Sequence, residues 1–250
     1  MLEIQDKIVL ITGSSSGIGA ATAKLFAEHD AYVIITCKTN TIGAQSVTDA
    51  IMQSGGKAEW HQADLAREEQ VEKLFAHIKQ THHRLDILIN NAGVARAKDF
   101  PETTYDDWLN DFNDNFFSTV LCSREAAKLM QDQKSGIILN TSSIRGELHN
   151  GREGIMAYSA AKAAVNNFSK TLAKLLAPHI RVNAVSPGFT YTPYYDTMTQ
   201  EVIDGFISKS YTKRFIEPKE IAEAFFYLAT APSVTGEILT VDGGYTLKDG

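Results

Sequence analysis

The chain reads as one α/β domain built on a doubly wound parallel sheet. Three observations predict this. Short β-branched apolar runs recur without clean polar alternation, amphipathic stretches of roughly 10 to 25 residues separate them, and a glycine-rich turn follows the first run directly. Strands buried on both faces read as continuous apolar runs, and parallel neighbours need a helical crossover between them. Right-handed crossovers then cover both faces of the sheet.

Taken in order, Lys7 to Ile11 is the first strand, followed by a Gly/Ser loop and a helix through Ala20 to His29. Ala31 to Cys37 is the second strand, and Ile42 to Gln53 a helix that Gly55-Gly56 ends. Ala58 to Gln62 is a short strand, Glu68 to Thr81 a helix, and Leu85 to Asn90 a strand. A long helix is expected from about Tyr105 to Met130, then a strand at Gly136 to Thr141. Ala157 to Leu176 is a strong helix, Ile180 to Val185 a strand, Lys219 to Thr230 a helix and Ile238 to Val241 the seventh strand. Phe189 to Arg214, rich in Thr and Tyr, breaks the rhythm. A loop that long inside a compact domain is usually functional, so it is expected to be a substrate lid over about 189–214. No second domain, repeat or low-complexity segment interrupts 1–250.

At 250 residues, 44% hydrophobic and 22% charged, the chain has ample material for one large core. Its formal net charge of -6 argues against nucleic acid or an anionic membrane as partner. Glu3 and Asp6 interrupt the apolar N-terminus, so it does not read as a signal peptide. No apolar run approaches the ~20 residues of a membrane span. Cys37 and Cys122 are far apart and read as reduced, buried thiols. A soluble cytoplasmic protein is expected.

Directly after the first strand stands Thr12-Gly13-Ser14-Ser15-Ser16-Gly17-Ile18-Gly19, opening a helix. Such a turn lets backbone N–H groups approach a pyrophosphate, with the positive end of the helix dipole behind it. Its GxxxGxG spacing differs from the common GxGxxG fingerprint, and a plain tight turn remains an alternative. Asp64-Leu65 follows the third strand and Asn90-Asn91-Ala92-Gly93 the fourth. In a doubly wound sheet these strand ends line one ligand crevice. Asp64 reads either as an acceptor for an adenine amino group or as an ordinary helix N-cap.

Tyr158 and Lys162 occur as Tyr-Ser-Ala-Ala-Lys, at i and i+4, and so share one helix face. A phenol near pKa ~10 is a poor acid–base catalyst at neutral pH. An ammonium one turn away favours the phenolate and is expected to lower that pKa. Bringing it near 7 needs ~4 kcal/mol of differential stabilisation. The alternative is a tyrosine merely packing over a lysine stem. Thr141-Ser142-Ser143 ends the strand before this helix, where a serine could hydrogen-bond a substrate oxygen as charge develops. Neither serine lies in GxSxG, and no HExxH or Cys/His cluster marks a metal site, so no metal is expected.

The motifs TGSSSGIG at 12–19, DL at 64–65, NNAG at 90–93, Asn115, Ser143, YSAAK at 158–162, PG at 187–188 and VDGG at 241–244 occur in order at strand ends. Through them the chain resembles the short-chain dehydrogenase/reductase superfamily from end to end. The resemblance implies a Rossmann-type fold and a hydride transfer between a nicotinamide and a carbonyl/alcohol pair. It implies that Tyr158 is the general acid/base, that Lys162 holds the nicotinamide ribose and lowers the Tyr158 pKa, and that Ser143 orients substrate. Asn115 would complete a proton relay by ordering a water near Lys162. Cofactor contacts are implied for Gly13, Ser15, Ser16, Gly17, Ile18 and Gly19 at the pyrophosphate, and for Asp64, Leu65, Asn91, Ala92 and Gly93 along the adenosine side. Pro187, Gly188, Thr190 and Thr192 would hold the nicotinamide. The long helices 105–130 and 157–176 imply a homotetramer. The chain departs from the family pattern in a longer Ser143-to-Tyr158 stretch, in a missing glycine at Ala177-Pro178-His179-Ile180, and in Thr190 at a usually aliphatic position.

Cofactor discrimination belongs to the end of the second strand, Thr36-Cys37-Lys38-Thr39-Asn40. Cys37 stands where a carboxylate would select NAD, and Lys38 with Thr39 could receive a 2′-phosphate. NADP(H) is therefore favoured over NAD(H), with a solvated Lys38 as the alternative. Tyr191, Tyr194, Tyr195, Met198, Phe206 and Tyr211 suggest an aromatic-lined pocket. The pattern is similar to 3-oxoacyl-carrier-protein reductases, sugar dehydrogenases and carbonyl reductases alike. For an acidic carrier protein, Lys134 and Arg145 are the basic candidates at the cleft mouth. A non-catalytic dinucleotide-binding redox sensor is the rival class, although it would not need Asn115, Ser143, Tyr158 and Lys162 together.

Overall fold

A computed structural model describes residues 2–192, 195 and 198–247. Seven strands form one sheet: β1 (Ile8–Ile11), β2 (Tyr32–Cys37), β3 (Lys57–Gln62), β4 (Ile87–Asn90), β5 (Gly136–Thr141), β6 (Ile180–Pro187) and β7 (Ile238–Val241). Their order is β3-β2-β1-β4-β5-β6-β7 and every pairing is parallel, so the fold is Rossmann-type. The winding reverses between β1 and β4, where the chain leaves one half of the sheet for the other.

Because successive strand residues point to opposite faces, β1 serves two cores. Val9 and Ile11 join one cluster with α1 (Gly17–Glu28), α2 (Thr41–Gln53) and α8 (Pro218–Thr230), whose largest buried rings are Phe26 and Phe225. Ile8 and Leu10 face α3 (Glu68–His82), α5 (Ser118–Gln133) and α6 (Met156–Leu176), through Leu74, Phe75, Met130 and Leu176. Both cysteines are buried and unbridged, and burial pushes the Cys122 thiol up to about 12. Among the described residues, no helix is long and apolar enough to cross a membrane.

Two elements differ from the sequence expectation. The helix expected over 105–130 divides into α4 (Tyr105–Phe112), a π-helical turn at Asn113–Phe117, and α5. A capping box between Thr104 and Asp107 starts α4. The π turn forms around Asn115, whose Nδ2 donates to the Asp111 carbonyl at 2.9 Å and to the Val94 carbonyl at 2.8 Å. Wide turns of this kind recur at functional sites. Within the stretch expected to be irregular, Gln200–Ile207 forms a further helix, α7. Its two turns are amphipathic, but the Thr/Tyr-rich flanks conceal the period.

Candidate active site

The C-terminal ends of β1, β2, β4, β5 and β6 open onto one cleft of about 1160 Å³. Gly13, Ser16, Ile18, Lys38, Asp64, Leu65, Asn91, Ala92 and Gly93 line it at one end. Ser143, Tyr158, Lys162, Pro187, Gly188, Thr190 and Thr192 line it at the other. Ser15, Gly17, Gly19 and Asn115 are not among the residues that line it.

The glycine loop is wired to the fourth strand. Thr12 Oγ1 accepts from the backbone N–H of Asn91 at 2.9 Å and of Ala92 at 3.0 Å, while Asn91 Nδ2 donates to the carbonyls of Thr12 and Gly13. Gly13 has φ +62°, and a Cβ there would lie 2.8 Å from the Ala92 Cα. A side chain is therefore excluded by conformation and by space. The result is bare backbone lining the cleft just before the start of α1.

At the end of the cleft beside β2 and β3, Lys38 Nζ lies 3.2 Å from Asp64 and 3.2 Å from Asp114. Those two carboxylates raise the Lys38 pKa against the opposing effect of its partial burial, which is the largest single influence. The alternative of a merely solvated Lys38 does not hold, and neither is this ammonium held in reserve. Asp64 is not the cap of α3: its Oδ1 accepts from Ala66 N–H at 3.1 Å in a tight turn, and Arg67 occupies the cap position. Arg96, which sequence reasoning missed, lines the same end and pairs with Asp111 at 2.7 Å and with Asp114. Nothing in its spacing after Gly93 marks it.

At the other end, α6 carries Tyr158 and Lys162 on one face, as the i, i+4 spacing predicts. Lys162 is 3% exposed, and its Nζ donates to the Thr141 carbonyl at 2.8 Å while lying 5.6 Å from the Tyr158 ring centroid. Burial lowers its pKa to about 8. The Tyr158 phenol is not depressed as expected: burial raises its pKa above the ordinary value, Asp111 adds to the rise, and a hydrogen bond with Ser143 and the charge of Arg145 oppose it. The expectation is not met because burial is the largest influence on the phenol and outweighs the effects that would lower its pKa. The two serines separate cleanly. Ser142 Oγ donates to the Lys162 carbonyl at 3.3 Å, whereas Ser143 meets the phenol and accepts from Arg145 N–H at 3.1 Å.

Asn115 is fully buried. Besides its two donations, its Oδ1 accepts from Val94 N–H at 3.0 Å, so the side chain makes three hydrogen bonds to backbone in the site floor. Gly93 is what lets this floor close, since a Cβ there would lie 2.6 Å from Asn115 Oδ1 and 3.3 Å from Lys162 Nζ. Among the described residues the buried Thr141 Oγ1 has no hydrogen-bond partner, and Thr141 lines the cleft beside Lys162.

The substrate side is formed by Ile144, Ile155, Phe189, Tyr195, Met198 and Phe206. Of the aromatic residues expected there, Tyr195 and Phe206 line the cleft, Tyr191 packs near Phe215, and Tyr211 is exposed. Tyr194 lies outside the described residues. Arg145 also lines the cleft, with its guanidinium between the rings of Phe189 and Tyr245 at 5.4 and 5.1 Å. Lys134 ends α5 ahead of β5, at the opposite edge of the sheet, and cannot stand at the cleft mouth.

Known proteins share this arrangement. A family model described as enoyl-(acyl carrier protein) reductase matches residues 13–246. The chain is 36% identical over 251 residues to a 3-oxoacyl-[acyl-carrier-protein] reductase of Synechocystis sp., with 99% of this chain and 100% of that one covered. It is 37% identical over 245 residues to cis-4-hydroxycyclohexanecarboxylate dehydrogenase of Sinomonas cyclohexanicum, with 96% and 97% covered. The crystal structure of a short-chain type dehydrogenase/reductase from Mycobacterium marinum superposes with a TM-score of 0.93 at 31% identity, covering 98% of each chain. With its motifs in place along a seven-stranded parallel sheet, the chain belongs to the short-chain dehydrogenase/reductase family, oxidoreductases acting on CH–OH groups.

Proposed function

We propose that the protein is an NADP(H)-dependent oxidoreductase that interconverts a small carbonyl compound and its alcohol, with Tyr158 as the proton-transfer residue. The observation that carries this reading is that Ser143, Tyr158 and Lys162 line one cleft, continuous with the glycine loop. The residues fit a dinucleotide: bare backbone at Gly13 suits a diphosphate, and the unpartnered Thr141 hydroxyl and the Lys162 ammonium suit the ribose and nicotinamide half. When bound, the nicotinamide supplies the hydride in reduction and accepts it in oxidation.

The protein's own part is proton handling and orientation. A phenol held above its usual pKa is protonated at neutral pH, so Tyr158 Oη is ready to give its proton to a carbonyl oxygen as charge builds there. Ser143 adds a second hydrogen bond to that oxygen, which is stronger in the transition state than in the ground state. Lys162 carries positive charge beside the resulting phenolate and eases its formation. Asn115 acts as a positioning residue, fixing the floor beneath Lys162. For the reverse reaction the phenolate is the base.

NADP(H) is supported by Cys37 in place of a selecting carboxylate and by Lys38 and Arg96 at the adenosine end. A small, largely apolar ketone or alcohol is favoured over a carrier-bound thioester. The substrate side is lined by rings and aliphatic groups, and of the two basic candidates for an acidic carrier Lys134 is remote and Arg145 is stacked inside the cleft. A homotetramer is supported by Tyr105, Leu109, Phe117 and Leu175, apolar side chains exposed along α4, the π turn and α6. Light scattering that returns a monomer would refute the assembly.

The activity is tested by following NADPH oxidation with cyclic ketones, an acetoacetyl thioester and ketoses, comparing wild type with Tyr158→Phe. Loss of the phenolic proton should lower kcat by about 10²–10⁴-fold while leaving NADPH fluorescence titrations unchanged. Full turnover in Tyr158→Phe would refute the assignment, and NADPH binding without turnover on any substrate would favour the redox-sensor class.

A further inference from the structure

Away from the cleft, three of the chain's seven histidines converge on a single carboxylate. Glu59 and His61 are two residues apart on β3, so both project from one face of this edge strand, the face turned toward α3. His77 and His82 come from the C-terminal half of α3. Glu59 Oε1 lies 3.2 Å from His61 Nε2, 3.3 Å from His77 Nε2 and 3.1 Å from His82 Nε2. The other carboxylate oxygen, Oε2, accepts from the Tyr32 phenol at 3.4 Å.

Hydrogen bonding alone satisfies this cluster poorly. A carboxylate oxygen has about two lone-pair sites, and three imidazoles present the same ring nitrogen to it. Protonating them would place like charges side by side, since the His61 and His77 rings are only 4.5 Å apart. A divalent cation removes both difficulties by accepting the nitrogen lone pairs while the carboxylate stays ionised. The dimensions agree. Ligand atoms at about 2.1 Å from a tetrahedral ion lie roughly 3.4 Å from one another, close to the Oε1–Nε2 separations found. Glu59, His61 and His77 each offer one ligand atom, and these all lie within 4.8 Å of one another.

We propose that Glu59, His61 and His77 form a binding site for a zinc-class divalent cation that ties the edge strand β3 to α3. Two imidazoles and one carboxylate favour zinc, cobalt or nickel over magnesium or calcium, which want oxygen ligands throughout. The surroundings suit this role. His77 is 40% exposed and leaves a path for the ion and for a water in the fourth position. His82, 8% exposed, and Tyr32 hold Glu59 from the inner side as outer-shell partners. Glu59 is held ionised, its pKa lowered to about 2 chiefly by its hydrogen bond with His61. Among the described residues, Glu59 is the acidic group paired with His61 and His77, and Thr81 Oγ1 lies 3.5 Å from His77 Nε2.

The test uses the untagged full chain, stripped with chelator, and zinc chloride alone as the probe in calorimetric titration. One equivalent per chain is expected, with a raised Tm in the presence of zinc and no response to magnesium. Cobalt(II) should give the intense visible bands of a four-coordinate ion. His61→Ala/His77→Ala and Glu59→Gln should each weaken binding by about 100-fold or more, whereas a His29→Ala/His179→Ala control should bind as wild type does. Circular dichroism without metal confirms that each variant is folded, and His77→Gln at the exposed position serves if the double variant is not. Absence of stoichiometric binding, equal binding by the ligand variants, or stability that follows pH in these variants with no zinc response would overturn the proposal.

Discussion

Lys162 donates its ammonium to the Thr141 carbonyl at 2.8 Å, although it lies one helical turn from the Tyr158 ring. This bond fixes the lysine at the end of β5, where strand and helix meet the cleft. Burial acts on both groups, holding the phenol protonated and pushing the lysine down to about 8. The site is thus set as an acid, Tyr158, beside a cation with no carboxylate to neutralise it.

That arrangement costs stability, and the cost depends on pH. Holding a buried ammonium whose pKa has fallen from 10.5 to about 8 costs roughly 3 kcal/mol. Below pH 8 both folded and unfolded chains carry the proton and the penalty is at full size. Between pH 8 and 10.5 the unfolded chain holds a proton that the folded chain has released, so this contribution turns more favourable as pH rises. Lys162→Met keeps the length of the side chain and removes the charge, at the cost of one charge-assisted hydrogen bond to the Thr141 carbonyl worth about 1.5–3 kcal/mol. The variant should therefore match wild type or exceed it by up to about 1.5 kcal/mol at pH 7, with the balance shifting toward wild type as pH rises to 10, and be inactive throughout. Urea denaturation across that pH range checks it; a variant less stable at every pH would sink the argument.

Gly93 is predicted to matter through space, since the nearest groups its Cβ would meet are Asn115 and the Lys162 ammonium. In Gly93→Ala the added carbon would press on Asn115 Oδ1 at 2.6 Å, and that side chain is held by three hydrogen bonds and cannot yield. Displacing Lys162 by even a fraction of an ångström misplaces the proton-transfer pair, and misplacements of 1 Å cost about 10²-fold. We expect kcat to fall by about 10–100-fold, with NADPH affinity changed far less. Steady-state kinetics beside a fluorescence titration separates the two; unchanged kcat would mean that the floor is not rigid.

How much of this was legible in the sequence follows from what each feature depends on. Seven strands were readable because burial on both faces leaves an unbroken apolar run, as in Ile8–Ile11 and Ile87–Asn90. The Tyr158–Lys162 face was readable because helical spacing is local. The fate of the Lys162 ammonium was not, since its acceptor comes from a strand 21 residues earlier. The π turn escaped for the same reason: Asn115 is called out of helical register by the carbonyl of Val94, which no periodicity reveals. Lys38 was legible as a cation near the adenosine end, but its partner Asp114 lies 76 residues away. The histidine cluster joins a strand to a helix, so neither Glu-Trp-His at 59–61 nor His77 and His82 shows a metal spacing in one dimension.

The pairing of Lys38 sharpens what its replacement should do. A 2′-phosphate must compete with Asp64 and Asp114 for this ammonium, both at 3.2 Å. Phosphate brings nearly two charges and several acceptor oxygens, and Lys38 is half exposed, so it can swing toward that group while keeping one carboxylate. Lys38→Asp removes the attraction and adds a third carboxylate to a site already holding two. Losing a charge-assisted hydrogen bond worth about 1.5–3 kcal/mol weakens NADPH binding by roughly 10–100-fold, and the repulsion adds to that. NADH, which lacks the phosphate, loses no such contact, and the new carboxylate offers acceptors for the ribose hydroxyls. The ratio of kcat/KM for NADPH over NADH should therefore fall by at least about 10². Because Arg96 remains on the same end of the cleft, NADPH turnover should persist at a reduced level. A ratio unmoved by Lys38→Asp would transfer cofactor choice to Arg96, and Arg96→Ala would then have to produce the same shift.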